Sequence, residues 1–292
     1  MDLAELQIFK TVADEGGILK AARKLHRVPS NVTTRVKQLE ASLGTELFIR
    51  ERKRLFLSPA GELLLAYADK LLRLADEARS AVAGSTPRGV LRLGALESTA
   101  ASRLPPVLAR YHEAYPEVRV ELTTGTNDAL TAAVLDRRVD AAFVAEVPAS
   151  SELAHLPLFA ERLTLISSLA HRRIRSPADV EGDSVVAFPD GCAYRRRLQR
   201  WLGAASAAAR VLDLASYHAI VACVASGAGV ALVPESVLET VHGAQVRRHA
   251  IPRALSAVVT PLIWRRREES ASVLALREEL KRGVRPLEAV SR

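Results

Sequence analysis

Between Ser30 and Lys37 the chain places side chains that recognise a polyanion: Ser30, Asn31, Thr33, Thr34 and Lys37. Hydroxyls and an amide hydrogen-bond base edges or phosphates, and an ammonium neutralises a phosphate. Further on, Arg52 and Lys53 follow Glu51 between two short apolar runs, bringing positive charge to the tip of a hairpin. A basic hairpin of this kind lies against a phosphate backbone or in a minor groove. From Lys20 to Arg54 there are ten Lys or Arg against three acids, a net +7, whereas the whole chain carries only +8. The basic excess sits on this segment, and its chemistry predicts double-stranded DNA as the first partner.

A second group of polar residues follows the ends of apolar runs and opens helical patterns: Ser98 and Thr99, Thr126, Cys192, Tyr217 and His218. Hydroxyls and free amides at helix starts suit an acidic head group, so these are the expected contacts of a small molecule, a carboxylate or an amino-acid-like compound. Arg195, Arg196 and Arg197 cannot all face one side of a helix, and at most two of them meet an anion. Cys192 stands after Gly191 at a helix start with Arg195 one turn on, an arrangement that lowers a thiol pKa. Thiol or redox sensing at Cys192 is therefore the alternative, with Cys223 in the apolar run Ile220 to Val224 as an inert buried thiol. The two cysteines lack CxxC spacing and the seven histidines never pair at ligand spacing, so no metal is expected. There is no GxSxG, GxxxxGK[ST] or HExxH, and Gly227-Ala228-Gly229 precedes a strand instead of following one. Neither an enzyme nor a cofactor is expected.

These residues need elements to hold them. Leu6, Phe9 and Val12 recur at helical spacing, Gly16-Gly17 breaks that helix, and Ile18, Ala21, Ala22 and Leu25 mark a second. After the turn at Arg27-Val28-Pro29, Ser30 is placed to cap a third helix. There Val32, Val36, Leu39 and Leu43 face a core and the polar set faces outward. Leu47 to Arg50 and Arg54 to Leu57 read as the strands of a wing. Ser58-Pro59 opens a helix of some 25 residues whose Leu64, Ala68, Leu71, Ala75, Ala78 and Val82 form a heptad seam suited to a second copy. Gly84-Ser85-Thr86-Pro87 reads as a hinge.

Beyond Gly89, strand and helix alternate: Val90–Ala95, Thr99–Tyr115, Val118–Thr123, Asp128–Arg137 and Ala141–Ala145 make βαβαβ and a parallel sheet. Strands at Leu163–Ser167, Ser184–Phe188, Val211–Leu214, Val230–Val233 and Gln245–Arg248 follow, with helices at Tyr194–Leu202 and Tyr217–Ala225. The strand Val258–Trp264 and the charged helix Ser270–Lys281 return to the first lobe. Two such lobes make a cleft beyond the strand C-termini.

With 292 residues, 49% hydrophobic and 25% charged, the chain has material for several cores. It shows no apolar run of membrane length and no basic-then-apolar start, so a cytoplasmic location without membrane contact is expected. A free-standing solute receptor would need a leader segment and would lack the basic head.

Residues 3 to 75 resemble the N-terminal domain of LysR-type transcriptional regulators at Leu6, Phe9, Val12, Gly17, Ala21-Ala22, Leu25, Thr33, Val36, Leu39-Glu40, Leu43-Gly44, Leu47-Phe48, Arg50, Leu57, Pro59 and Gly61. Pro29 departs from the pattern, since it lacks the amide side chain that similar proteins point at DNA. The likeness continues through Gly94 to Pro105 and Ala225 to Pro234. Phe188 to Arg195 is similar to a GCxYR segment of a subgroup concerned with glutamate, amine or amino-acid metabolism. The resemblance implies an α/β protein with an N-terminal winged helix-turn-helix, a long linker helix and a two-lobed periplasmic-binding-protein-like effector domain. The expected boundaries are 1–58 for DNA binding, 59–88 for linker and hinge, and 89–292 for the effector domain. Within the last, one lobe spans about 89–161 and 265–292, the other about 162–264. It further implies a ligand-responsive regulator acting as a homodimer or homotetramer, with RNA polymerase as a further partner.

Overall fold

The computed structural model describes residues 1–51, 54–82, 86–203, 210–241, 243, 245–266 and 270–283, and the chain divides into two units, Met1–Gly84 and Ser85–Arg292. In the first unit α1 (Leu3–Glu15) starts on a reciprocal cap: the Asp2 carboxylate accepts from the Glu5 amide at 2.7 Å, and Glu5 accepts from the Asp2 amide at 2.9 Å. It is followed by α2 (Ile18–Lys24), α3 (Pro29–Leu43), and the antiparallel wing strands β1 (Phe48–Glu51) and β2 (Arg54–Leu57). The helix α4 (Pro59–Val82) completes the unit. The Ser58 hydroxyl accepts from the Gly61 amide at 3.0 Å and donates to the Glu46 carbonyl at 2.7 Å, joining the wing to α4.

Two apolar clusters hold this unit. Ile8, Val12, Ala21, Ala22, Val32 and Val36 pack the first three helices, and Leu6, Phe9, Leu39, Leu47 and Ala68 seat α4 on them. Gly61 is needed where α4 meets the wing, because a Cβ there would lie 2.1 Å from the Leu47 carbonyl oxygen. Backbone cannot yield as a side-chain tip does. Gly61→Ala is therefore expected to cost about 1–3 kcal/mol, the usual range for overpacking. Thermal denaturation would read this as a lower-temperature transition of the N-terminal unit, and an unchanged transition would refute the contact.

Three sequence expectations need correction. Ser30 does not cap α3, which begins one residue earlier at Pro29 after an extended Val28 that makes no side-chain cap. Proline fits the first turn because its missing N–H has no helical acceptor there. Leu43, placed in the core by spacing, is 40% exposed at the last turn beside Gly44, whose φ of 67° ends the helix. The proposed seam on α4 is split. Ala68 is fully buried, and Leu64, Leu65 and Leu72 pack partly against the unit's own core, whereas Leu63, Tyr67, Leu71 and Leu74 stand exposed along an adjacent strip. Of the seam residues, Leu71 and Ala78 are exposed, Ala75 is half-buried, and the Val82 side chain lies outside the described set.

The second unit opens with β3 (Gly89–Ala95), α5 (Glu97–Ser102), α6 (Leu104–Ala114), β4 (Val118–Thr124), α7 (Asn127–Leu135) and β5 (Ala141–Phe143). β3 pairs in parallel with both β4 and β5, the expected βαβαβ sheet. The single helix expected over Thr99–Tyr115 is two, broken at Arg103, with prolines opening α6 where their absent amides do no harm. Next comes β6 (Leu153–Ser168), of which the sequence pattern predicts only the second half; the first half carries His155, Pro157, Glu161 and Arg162, which hide the alternation. Then follow β7 (Val185–Ala187), α8 (Ala193–Leu202), β8 (Val211–Asp213), α9 (Tyr217–Ala225), β9 (Ala231–Pro234), α10 (Glu235–Thr240), β10 (Val246–His249), α11 (Arg253–Ser256), β11 (Ala257–Arg265) and α12 (Ala271–Gly283). The short α10 and α11 and a 3₁₀ turn at Pro177–Val180 carry no periodic signal and are additions to the expected elements.

The order β10-β6-β11-β5-β3-β4 runs across the main sheet, with β9 also on β6, and β7 pairs in parallel with β8. Strand β6 serves both ends: Leu153–Arg162 pairs with β11, and Leu163–Ser168 pairs with β9 and β10. One apolar cluster lies under α6 and α12 around Leu93, Tyr111, Phe143 and Leu276, and a larger one surrounds α8, α9 and β9.

Candidate functional site

On α3 the residues Ser30, Asn31, Thr34 and Lys37 are exposed and Thr33 is half-buried. Their chemistry is not equal. Asn31 Oδ1 accepts from Arg27 at 3.2 Å, so its amide nitrogen keeps two donors for another acceptor. Thr33 donates its hydroxyl to the Pro29 carbonyl at 2.9 Å and keeps only lone pairs and a methyl. Arg35, counted in the sequence only as charge, is exposed one turn beyond Asn31. Lys20, Arg23 and Arg50 add exposed cations to this unit. Glu40 Oε1 accepts from the Leu47 and Phe48 amides at 2.8 and 3.3 Å, fixing the start of the wing against α3. Arg52 and Lys53 lie outside the described residues, between the two wing strands.

In the second unit a pocket sits beyond the C-terminal ends of β3, β4, β5 and β7, the usual ligand position of an open α/β sheet. Leu96 and Glu97 come from the end of β3, Gly125 and Thr126 from β4, and Ala145 from β5. The opposite wall is Phe188, Cys192, Ala193, Tyr194 and Tyr217. Thr126 is also the cap of α7, accepting from the Ala129 amide at 3.4 Å. The buried Asn127 next to it accepts from the Ala145 and Glu146 amides, both at 2.9 Å, and so holds the β5 end in place. Gly191 has φ 88°, and a Cβ there would approach Thr126 Oγ1 to 2.9 Å; its carbonyl accepts from the Asp128 amide at 3.3 Å. Within the opposite wall the Phe188 and Tyr217 ring centroids are 4.7 Å apart, and the free interior of the pocket is about 10 Å³, room for roughly one water.

Of the residues expected to contact a ligand, Thr126, Cys192 and Tyr217 line this pocket, and three do not. Ser98 and Thr99 are each 3% exposed, with Ser98 against the Tyr194 and Tyr217 phenols, because α5 turns those side chains into the core. His218 is exposed one residue beyond Tyr217, on the Glu97 side. Glu97, Phe188 and Tyr194 were missed. Glu97 stands beside the two hydroxyl residues read as helix-start donors, and nothing in the spacing tells which of the three faces the pocket.

The arginines of α8 do not enter the pocket either. Arg195 pairs with Asp190 at 3.1 Å and Asp213 at 2.8 Å. Arg196 pairs with Asp128 at 2.7 Å and Glu146 at 2.9 Å, and Arg200 pairs with Glu146 at 3.1 Å. Arg197 lies 3.7 Å from Glu146 and donates to the Ala254 and Ala257 carbonyls. Burial pushes the Cys192 thiol up, against the Arg195 and Tyr194 amides and the nearby arginine charges, the reverse of the activated thiol that the redox alternative requires. Burial likewise raises the Tyr194 and Tyr217 phenols, which stay protonated donors. Among the described residues no cluster of His, Cys, Asp or Glu is placed to hold a metal, and no helix is long and apolar enough to cross a membrane.

A winged helix-turn-helix unit with an exposed polar and basic reading helix, in one chain with a unit that carries a pocket at its strand ends, defines a DNA-binding regulator with an effector domain. Residues 3–62 match the bacterial regulatory helix-turn-helix protein domain of the lysR family, and residues 84–285 match the LysR substrate binding domain. The transcriptional regulator YusT of Bacillus subtilis (strain 168) is 38% identical over 281 residues, 94% of this chain and 93% of that protein. The regulator GltR of the same strain is 35% identical over 269 residues, 91% of each. In fold, the chain is similar to full-length CbnR, solved as a complex with its target DNA, with a TM-score of 0.70 at 23% identity over 97% of this chain and 99% of that one. The chain belongs to the LysR family of transcriptional regulators.

Proposed function

We propose that this regulator acts in the cytoplasm as a pair, or a pair of pairs, of chains that reads DNA through α3 and the wing and answers to a small organic effector bound in the pocket. The division is 1–58 for DNA contact, 59–88 for pairing and hinge, and 89–292 for effector binding. Asn31, Thr34, Lys37, Arg52 and Lys53 make the DNA contacts, with Ser30 and Thr33 beside them. RNA polymerase is the protein partner through which an occupied operator affects transcription. What carries the effector reading is the meeting of Leu96, Glu97 and Thr126 with Phe188, Cys192 and Tyr217 at the strand ends, closed by Arg196 on Asp128 and Glu146. A ligand that needs the walls apart favours the open arrangement over the closed one, and only that difference in affinity shifts DNA binding.

The test is a genomic footprint of the purified full-length protein, repeated with a panel of metabolites. A ligand-dependent footprint that is lost in Phe188→Ala supports the pocket. A response that survives this substitution places effector binding elsewhere.

Cys192 separates this reading from a thiol switch. With its thiol buried and raised in pKa, Cys192→Ser is expected to shift the metabolite response, and mild peroxide is expected to leave the parent footprint unchanged. A peroxide-dependent footprint that disappears in Cys192→Ser would replace the metabolite reading with a redox one.

A further inference from the structure

We propose that the effector carries an ammonium group on a small aromatic or apolar body, with Glu97 as its anionic partner. This rests on the pocket being the effector site. The Glu97 carboxylate lines the pocket, accepts from the Tyr217 backbone N–H, and leaves Oε2 buried with no hydrogen-bond donor. An acceptor buried without a partner is costly, and a charged donor is its strongest complement. Burial raises the Glu97 pKa, against the Tyr217 amide and the His218 charge, so the site penalises this charge until a cation neutralises it.

The rest of the lining fits the same ligand. Phe188, Tyr194 and Tyr217 supply aromatic surface, Leu96 and Ala145 supply aliphatic surface, and an ammonium held beside aromatic faces gains cation–π attraction. Among the described residues no guanidinium lines the pocket: Arg195, Arg196 and Arg200 are paired with Asp190, Asp213, Asp128 and Glu146, and Arg197 faces Glu146 and two carbonyls. A simple carboxylate would therefore meet Glu97 with no cation from the lining to balance either charge. The near absence of free interior restricts the ligand to one that parts the two walls as it enters, which links binding to the arrangement of the halves.

Calorimetry on the full-length protein with 2-phenylethylamine and with phenylacetate, which share a body and differ in charge, tests the assignment. The amine is expected to bind the parent protein more tightly than the acid, and Glu97→Gln, which keeps the shape and removes the charge, is expected to weaken it about tenfold or more. Tighter binding of phenylacetate, equal amine binding by Glu97→Gln, or binding of neither probe overturns the amine class. The effector pocket has its own test: a metabolite response lost in Phe188→Ala while phenylacetate outbinds the amine leaves the pocket standing and removes only the ammonium.

Discussion

Leu71→Glu is expected to turn the paired protein into single chains, with the thermal transitions of both units preserved. Leu71 is 39% exposed on α4 in line with Leu63, Tyr67 and Leu74, an apolar strip that the unit's own core does not cover. Two copies burying this strip against each other would bury the introduced carboxylate without a partner. Each such charge costs about 3–5 kcal/mol, and each 1.4 kcal/mol is about tenfold in affinity, so the pair weakens by a hundredfold or more. Ala68→Glu is the control. Ala68 is fully buried against Leu6, Phe9, Leu39 and Leu47, so that variant is expected to unfold the N-terminal unit itself. Sedimentation velocity with an unchanged species for Leu71→Glu would take α4 out of the interface.

DNA binding is expected to fall about a thousandfold or more between roughly 50 and 200 mM salt, because paired heads release several counterions from the phosphate backbone. The exposed Arg35, Lys37 and Arg50, doubled in a pair and joined by Arg52 and Lys53, supply that count. Arg52→Ala is expected to lower affinity alike on every sequence and to reduce the salt slope by about one unit for each phosphate it leaves without a cation. Asn31→Ala is expected to erase preference at one base pair, about 1–3 kcal/mol of discrimination, since its free amide donors suit a base edge better than the Thr33 hydroxyl already given to Pro29. Titrations on matched and mismatched half-sites separate the two effects. If both variants weaken all sequences equally, the division into phosphate and base contacts is wrong.

The DNA-binding head was legible because its punctuation is local. Gly16 and Gly44 both adopt positive φ at helix ends, and Ser58-Pro59 starts a helix, so these boundaries were marked locally, whereas the α3 start at Pro29 was not. The seam on α4 was not legible in the same way. Leu63 and Leu64, and Tyr67 and Ala68, are neighbours on one helix, and periodicity alone does not tell which strip meets the unit's own core and which is left over. The pocket was half legible. Strand ends marked where it lies, but whether Ser98 or Glu97 faces it depends on how α5 rolls against Tyr194 and Tyr217, contacts made across some hundred residues of sequence.

Strand β6 has sixteen residues, about 50 Å of extended backbone, and its two halves hold different partners. A cut between Arg162 and Leu163 would part the residues that pair with β11 from those that pair with β9 and β10, removing the one strand shared by both pairings. Neither half of the domain is thus a separable module. Amide protons along β6 should exchange together and last, and the C-terminal unit should melt in one cooperative step, although it is built as two wings about a single beam.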